Sequence, residues 1–515
     1  MRRLIFLLTL ALAACAQASK IVLIPLDNRP ATGQYAEMIG HIGGADVVMP
    51  PMRFLGNYTI PGSPDAILKW LEEQPMLAGD SYVISVDMVC YGGLFESRKS
   101  RVELPAALAR FRKMLDIRKR YPQAKLYLVS TIMRLTPSAT HDATSYRLEL
   151  ARYVGLRSQG ASAEQLKSLK AAIPAGALEE YDTARARNHE LQKTLIRTAM
   201  REPIDLLVLG QDDAAVSGPH VKERAALRAI AGFTPKVAFC EGIDQVPSLL
   251  VSRALLEGRH PTVRVLYSDP DGADKTAAFE SQPLKQTVLD QIRTSGATEA
   301  RKDEDPDFFL YINTPGRSQS TFTRWLDELT ESLEEQKPIA VADVDLSKST
   351  SSPDPGLYNS LADKGRPMKL LAYAAWNTAA NTIGTAIAAA NMRLHAIKRG
   401  PSVETEIAHK HFLLYRMAND FAYHTFTRPI AYGMTEGPRK DAIFGQELVE
   451  VNDYVQRDLS KFLKKMFYEN FQGRRFQVRG KTHEFIGMTD LAIGLPWPRP
   501  YEVRLEFELK CAPVD

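Results

Sequence analysis

What most constrains this chain is a succession of short apolar runs, rich in β-branched residues, that end in polar side chains and are separated by helical stretches. In order they are KIVLIP from Lys20, DVVMP from Asp46, YVISVD from Tyr82, KLYLVST from Lys125 and DLLVLGQDD from Asp205. KVAFCEG follows from Lys236, VRVLYSD from Val263, FFLYIN from Phe308, PIAVADVD from Pro338 and KLLAYAAWN from Lys369. Near-continuous apolar strands alternating with helices bury both faces of a sheet, which predicts an α/β fold built on a mainly parallel sheet. A TIM-like barrel with helical insertions is the expected architecture, although the runs outnumber the eight strands of such a barrel. An open doubly wound sheet is the alternative.

The intervening segments place the rest. Ser63-Pro64-Asp65 reads as an N-cap followed by Pro at the first helical position, opening the helix that holds Trp70. Leu104 to Tyr121 and Ala161 to Arg201 are strongly helical, and their length predicts a helical insertion at about 140–203 within an α/β domain over 20–400. From 401 to 515 the pattern is helical to about Gln472. It then alternates from Arg474, as a small antiparallel β unit does.

Residues 1–19 read as a secretory signal, with Arg2 and Arg3 ahead of an apolar stretch from Leu4 to Ala14 that is too short to span a bilayer. Cleavage before Ser19 predicts an exported, periplasmic or secreted protein. Leu12-Ala13-Ala14-Cys15 offers the alternative of a lipoprotein anchored through Cys15. No other stretch has the length for a transmembrane helix. The 515 residues are 45% hydrophobic and 24% charged, so neither disorder nor a disulfide miniprotein fits. Lys and Arg total 65 against 61 Asp and Glu, with no basic block to track a phosphate backbone, and no nucleic-acid partner is expected. Cys90, Cys240 and Cys511 lack metal-ligand spacing, and Cys90 and Cys240, each following a predicted strand, read as small buried hydrophobes.

In parallel α/β folds the functional face lies where strand C-termini feed their loops. Asp27, Asn28 and Arg29 stand there, as do Asp87, Tyr91, Arg134, Asp212, Asp213 and Glu241. Asn313, Asp343, Asp345, Trp376 and Asn377 follow in the second half of the chain. The segments PLDNRPAT, SVDMVCYGGLFESR, STIMRLTP, LGQDDA and AAWNTAANTIGT, in that order, resemble the bacterial family catalogued as domain of unknown function 4127. The resemblance implies relatives with the same chain plan and carries no activity with it.

Read as chemistry, Asp87, Asp212, Asp213 and Glu241 are the raw material for two acids flanking a glycosidic bond. Retention needs such a pair about 5–5.5 Å apart and inversion about 6.5–9.5 Å. Asp212 or Asp213 is the expected acid, with Glu241 or Asp87 as its partner. Adjacent carboxylates on an extended chain point to opposite sides, so one of Asp212 and Asp213 is expected to reach the substrate, while the other caps a helix or pairs with Arg134.

Arg29 and Arg134 would position hydroxyls or a substrate carboxylate. Trp376, with Tyr58 or Tyr91, would supply a flat face for a sugar ring, and Asn28, Asn313 and Asn377 would read hydroxyls, with Asp27 and Asp343 as further substrate-binding residues. Asn377 and Asn381 read equally well as an N-cap and a buried helix bond. The expected function is therefore an exported hydrolase, best described as a glycoside hydrolase acting on a carbohydrate or other small molecule without a cofactor.

One alternative is a metal-dependent phosphoesterase or deacetylase holding a divalent ion through the same aspartates, with His141, His220 or Glu241. Another is a non-catalytic carbohydrate-binding protein. His409 and His411 are expected on the solvated surface. No GxGxxG, P-loop or GxSxG motif supports nucleotide binding or a serine nucleophile.

Overall fold

The computed structural model describes residues 18–138, 140, 143, 145–346, 351–362, 365–435 and 442–514. The greater part of the expected signal segment, as far as residue 17 and including Cys15, lies outside them, as does His141.

The strands form two parallel sheets and one antiparallel sheet. The first contains β1 (Lys20–Ile24), β2 (Asp46–Val48), β3 (Ser81–Ser85), β4 (Lys125–Ile132), β5 (Leu206–Gln211) and β6 (Val237–Glu241), in the order β2-β1-β3-β4-β5-β6. The second contains β7 (Thr262–Tyr267), β8 (Thr298–Glu299), β9 (Phe308–Asn313), β10 (Ile339–Asp343) and β11 (Ala372–Ala374), in the order β11-β10-β9-β7-β8. Read from its other edge, the second sheet repeats the plan of the first: its second strand lies outside its first, and the later strands follow on the opposite side.

The expected single barrel is therefore replaced by two open sheets. In each, the chain reverses its direction of winding after the second strand, so the sheet grows both ways and its edge strands never meet. That reversal creates a topological switch point between β1 and β3, and another between β7 and β9, outside whose C-terminal ends ligands bind in doubly wound folds.

Strand alternation explains the layers. Ile21, Leu23, Val83, Val129 and Val208 face one core, while Val22, Ile24, Ile84, Leu128 and Leu209 face another. The second of these cores is closed by the helices Pro64–Glu72, Leu104–Lys119 and Ala175–Arg201. The first continues through Val246–Leu256 and Ala379–Arg399 into the second sheet, so these helices form a layer between the sheets. Ala386, Ala388, Ala389 and Ala390 are fully buried there, as a helix packed on all sides requires.

The helices Arg147–Ser158, Ala163–Ala171 and Ala175–Arg201 lie between β4 and β5 and carry a small core of their own around Leu150, Val154 and Leu166. The helix Val403–Arg416 runs into a π-helical stretch, Met417–Thr427, and then Arg428–Gly433. The long helix Gly445–Asn470 leads to the antiparallel sheet of β12 (Arg475–Val478), β13 (Lys481–Gly494) and β14 (Arg504–Val514), as the alternation after Arg474 predicts. None of the described helices is long and apolar enough to cross a membrane.

Near the first switch point, Gly92 ends the short helix Val86–Tyr91 in the left-handed region, at φ 97°. A Cβ there would stand 2.9 Å from the Gly62 carbonyl oxygen, a backbone atom unable to swing aside. Gly92→Ala is expected to cost about 1–3 kcal/mol through this strain, read as a lower denaturant midpoint at unchanged m-value.

Candidate active site

A cavity of about 370 Å³ opens at the C-terminal ends of the strands, where loops of both sheets and of the C-terminal region converge. The first sheet supplies Arg29 after β1, Phe95 and Arg98 after β3, Arg134 after β4, Asp212 and Asp213 after β5, and Asp244 after β6. From the second sheet come Phe279 on the loop after β7 and Asn377 after β11. Arg428 and Tyr432, one helical turn apart, and Trp497, Arg499 and Tyr501 between β13 and β14 close the far side.

Ion pairs organise the first-sheet wall. Arg29 holds two carboxylates, donating through Nη2 to Asp27 Oδ2 at 2.7 Å and to Asp244 Oδ1 at 2.8 Å. Arg98 pairs with Asp212 and donates to Ser138 Oγ at 2.6 Å, while Arg134 pairs with Asp213 at 2.9 Å. The Asp213 backbone N–H donates to Asp212 Oδ1 at 2.9 Å, which turns the two neighbouring side chains towards different arginines. Both still line the cavity, where one was expected to, and Asp213 is the more exposed.

Burial pushes the Asp244 carboxyl up to about 6, with Asp27 and Asp212 adding to the rise and Arg29 opposing it. Asp244 is thus a buried carboxyl at the cavity wall, raised by burial although Arg29 bonds both of its oxygens.

The strap from Trp497 to Tyr501 is pinned to loops of both parallel sheets. Trp497 Nε1 donates to Asn28 Oδ1 at 2.6 Å, and the Tyr501 hydroxyl donates to Asn377 Oδ1 at 2.8 Å. Asn377 presents that oxygen from a left-handed backbone at φ 57°, a conformation asparagine tolerates better than most residues. Its amide donates to Asn381 Oδ1 at 2.7 Å, but the cap of the helix Ala379–Arg399 is Thr378.

Several residues expected at the site are placed elsewhere. Asp87 lies within the helix Val86–Tyr91 and accepts from the Thr131 backbone N–H at 2.9 Å; burial raises its carboxyl to about 6, out of reach of the cavity. Glu241 ends β6 fully buried, paired with Arg224 and accepting from Ser281 Oγ at 2.6 Å. Tyr91 is buried beneath the Arg187 guanidinium.

Trp376 sits in the core between the sheets, edge to face with Tyr35, and its Nε1 donates to Thr385 Oγ1 at 3.2 Å. Asn313 and Asp343 bond to each other at the C-terminal ends of β9 and β10, where burial pushes the Asp343 carboxyl up to about 8. Nearby Asp345 pairs with Arg317. Asp27 and Asn28 lie just behind the cavity wall, fixing Arg29 and Trp497, and Tyr58 packs there edge-on to Phe95 and tilted against Trp497.

Among the described residues no group of three or more His, Cys, Asp or Glu is arranged to hold a metal ion. His220 is buried with Nε2 on the Ala215 carbonyl oxygen. His409 is buried too, contrary to the expected surface position, because the helix Val403–Arg416 packs against the loop before β11 and the ring bonds to the Leu371 carbonyl. Cys90 and Cys240 are buried free thiols.

The family model described as a protein of unknown function, DUF4127, matches residues 21–506. The chain belongs to that family. No curated protein and no solved structure matches it.

Each of the segments quoted above for the DUF4127 resemblance delivers a side chain to the cavity: Arg29, Arg98, Arg134, the Asp212–Asp213 pair and Asn377. The residues of this DUF4127 chain that strand-end reasoning passes over are Arg98, Asp244, Arg428 and the strap. Asp244 lies three positions beyond Glu241, just past the strand end. The strap's own signal is PWPRPY, two aromatics and an arginine among prolines between two β segments.

Proposed function

We propose that the protein is an exported hydrolase that cleaves a glycosidic bond in this cavity, with Asp244 as general acid and Asp213 as the base or nucleophile. The observation that carries this reading is the pairing of unlike carboxyls on one wall. Asp244 is buried against Arg29, with burial raising its carboxyl to about 6 against the pull of that guanidinium, whereas Asp213 is partly exposed and held by Arg134. Two carboxyls whose environments differ in this way are what acid and base roles require. Phe95, Trp497 and Tyr501 supply rings against which a sugar can lie. The leader expected over residues 1–19 would deliver the enzyme beyond the cytoplasm.

The test is release from a panel of aryl glycosides and oligosaccharides, with and without a chelator and added Mg, Mn or Ca. The expected result is chelator-insensitive turnover that Asp213→Asn reduces by at least about 100-fold. Metal-dependent turnover would make the aspartates ligands instead. A second reading, a carbohydrate-binding protein without catalysis, draws on the guanidinium partner that each cavity aspartate already has; saturable sugar binding with no turnover on any substrate would establish it.

A further inference from the structure

Phe279 differs from the other aromatic residues of the cavity. Phe95, Tyr432, Trp497 and Tyr501 each carry a guanidinium against the ring, from Arg98, Arg428, Arg29 and Arg499 in turn. Phe279, on the loop after β7, is 58% exposed and makes no ring contact among the described residues.

Its backbone is unusual as well. The Glu280 N–H donates to the Ala277 carbonyl oxygen at 3.3 Å, closing a turn whose third residue, Phe279, has a φ of 65°. Such a turn ordinarily places Gly or Asn there, because a Cβ is strained in the left-handed region. The strain persists because neighbouring bonds fix the turn. The Ala214 N–H, next to Asp213, donates to the Phe279 carbonyl oxygen at 2.7 Å. The Glu280 side chain accepts from the Ala380 backbone N–H at 2.6 Å and from Thr287 Oγ1 at 2.8 Å, and Ser281 Oγ donates to Glu241 Oε1 at 2.6 Å. An exposed ring recovers little of that strain through burial, so the fold holds Phe279 out at a cost in stability, as ligand clamps do.

We infer that Phe279 is the sugar-binding platform on the Asp213 side of the cavity, holding one unit of an oligosaccharide whose next unit, across the bond to be cut, lies by Asp244 and Trp497. Trp497 packs 4.9 Å from the Arg29 guanidinium that binds Asp244, so a flat apolar face accompanies each of the two carboxyls. The inference rests on the cavity being a saccharide-cleaving site. It adds that the substrate has at least two sugar units and that Phe279 sets the preference for chain length.

Calorimetric titration in the Asp244→Asn background, which removes turnover, compares cellobiose, maltose and diacetylchitobiose with glucose and N-acetylglucosamine. At least one disaccharide is expected to bind about 10-fold more tightly than its monosaccharide. Phe279→Ala should weaken that disaccharide by about 3- to 10-fold, the worth of a stacked ring, and Phe279→Trp should retain the affinity. Phe233→Ala, at an exposed ring outside the cavity, should change nothing. Phe279→Gly should bind as weakly as the alanine variant and yet unfold at a higher denaturant concentration than the wild type, since glycine relieves the turn.

A disaccharide affinity that Phe279→Ala leaves unchanged, a loss that Phe279→Trp shares, no disaccharide binding better than its monosaccharide, or a glycine variant less stable than the wild type would overturn the inference. Ring-dependent disaccharide binding without hydrolysis of any glycoside by the wild type would retain the platform and remove the catalytic reading. Turnover with a KM that Phe279→Ala leaves unchanged would do the reverse.

Discussion

Asp244→Asn is expected to lower turnover by about 10²–10⁴-fold, the usual contribution of a positioned general acid, with little change in ligand affinity. Asparagine keeps the shape and one acceptor oxygen for Arg29, which retains its bonds to Asp27, so the wall should stay folded while the transferable proton is lost.

The pH profile separates this from a purely structural defect. Burial raises the Asp244 carboxyl to about 6, so it is protonated below that pH and ionised above it. An acid must carry its proton, and wild-type activity should therefore decline as pH rises through about 6. In Asp244→Asn that alkaline limb should vanish from the residual activity. A wild-type rate that is flat from pH 5 to 8, or an Asn variant with normal turnover, would take the acid role away from Asp244. The same shift bears on stability. A carboxyl whose folded value is raised favours the folded state fully below its unfolded value near 3.8, and that advantage disappears as pH rises through about 6.

A comparably large effect is expected at a buried ion pair that does not itself line the cavity. Arg416 and Asp420 are both fully buried and paired one helical turn apart where the helix Val403–Arg416 becomes π-helical. Asp420 Oδ2 also accepts from the Ala375 backbone N–H at 2.8 Å, and the Arg416 guanidinium lies 4.1 Å from the centre of the Tyr35 ring. Asp420→Ala leaves a guanidinium uncompensated in the core and should cost about 3–5 kcal/mol. Replacing both partners, as Arg416→Met with Asp420→Leu, should cost less than either single change, because no unpaired charge remains. A double variant that loses the sum of the two singles would show that the pair is not coupled. Asp420 holds the backbone two residues before Asn377, so the single variant should also loosen the strap's anchor at Tyr501.

Much of this could be read from the sequence because it is local. KIVLIP, KLYLVST and FFLYIN fall on β1, β4 and β9 because fully buried parallel strands need unbroken apolar runs. The barrel expectation failed for a non-local reason. Strand composition is the same whether successive strands are added on one side or on both, and only the winding reversal after β2 and β8 separates a closed barrel from two open sheets.

The site was partly legible for a similar reason. Arg29, Arg134, Asp212, Asp213 and Asn377 lie immediately beyond strands and reach the cavity. Asp87 does not, since β3 ends at Ser85 and the chain has already turned into a helix. Glu241 ends its strand but is drawn to Arg224, an attraction set by packing. Trp376 and Asn377 are neighbours with opposite fates, because the backbone turn at Asn377 sends one side chain into the core and the other to the cavity.

The strap has a consequence for how the protein comes to work. The bond between Trp497 and Asn28 joins residues 469 positions apart, and the strap follows both parallel sheets in chain order, so the cavity's far wall closes only when distant parts of the fold meet. Until the strap has docked on Asn28 and Asn377 the pocket has only one side. Competence to act on a substrate therefore depends on a long-range docking step as well as on the two sheets.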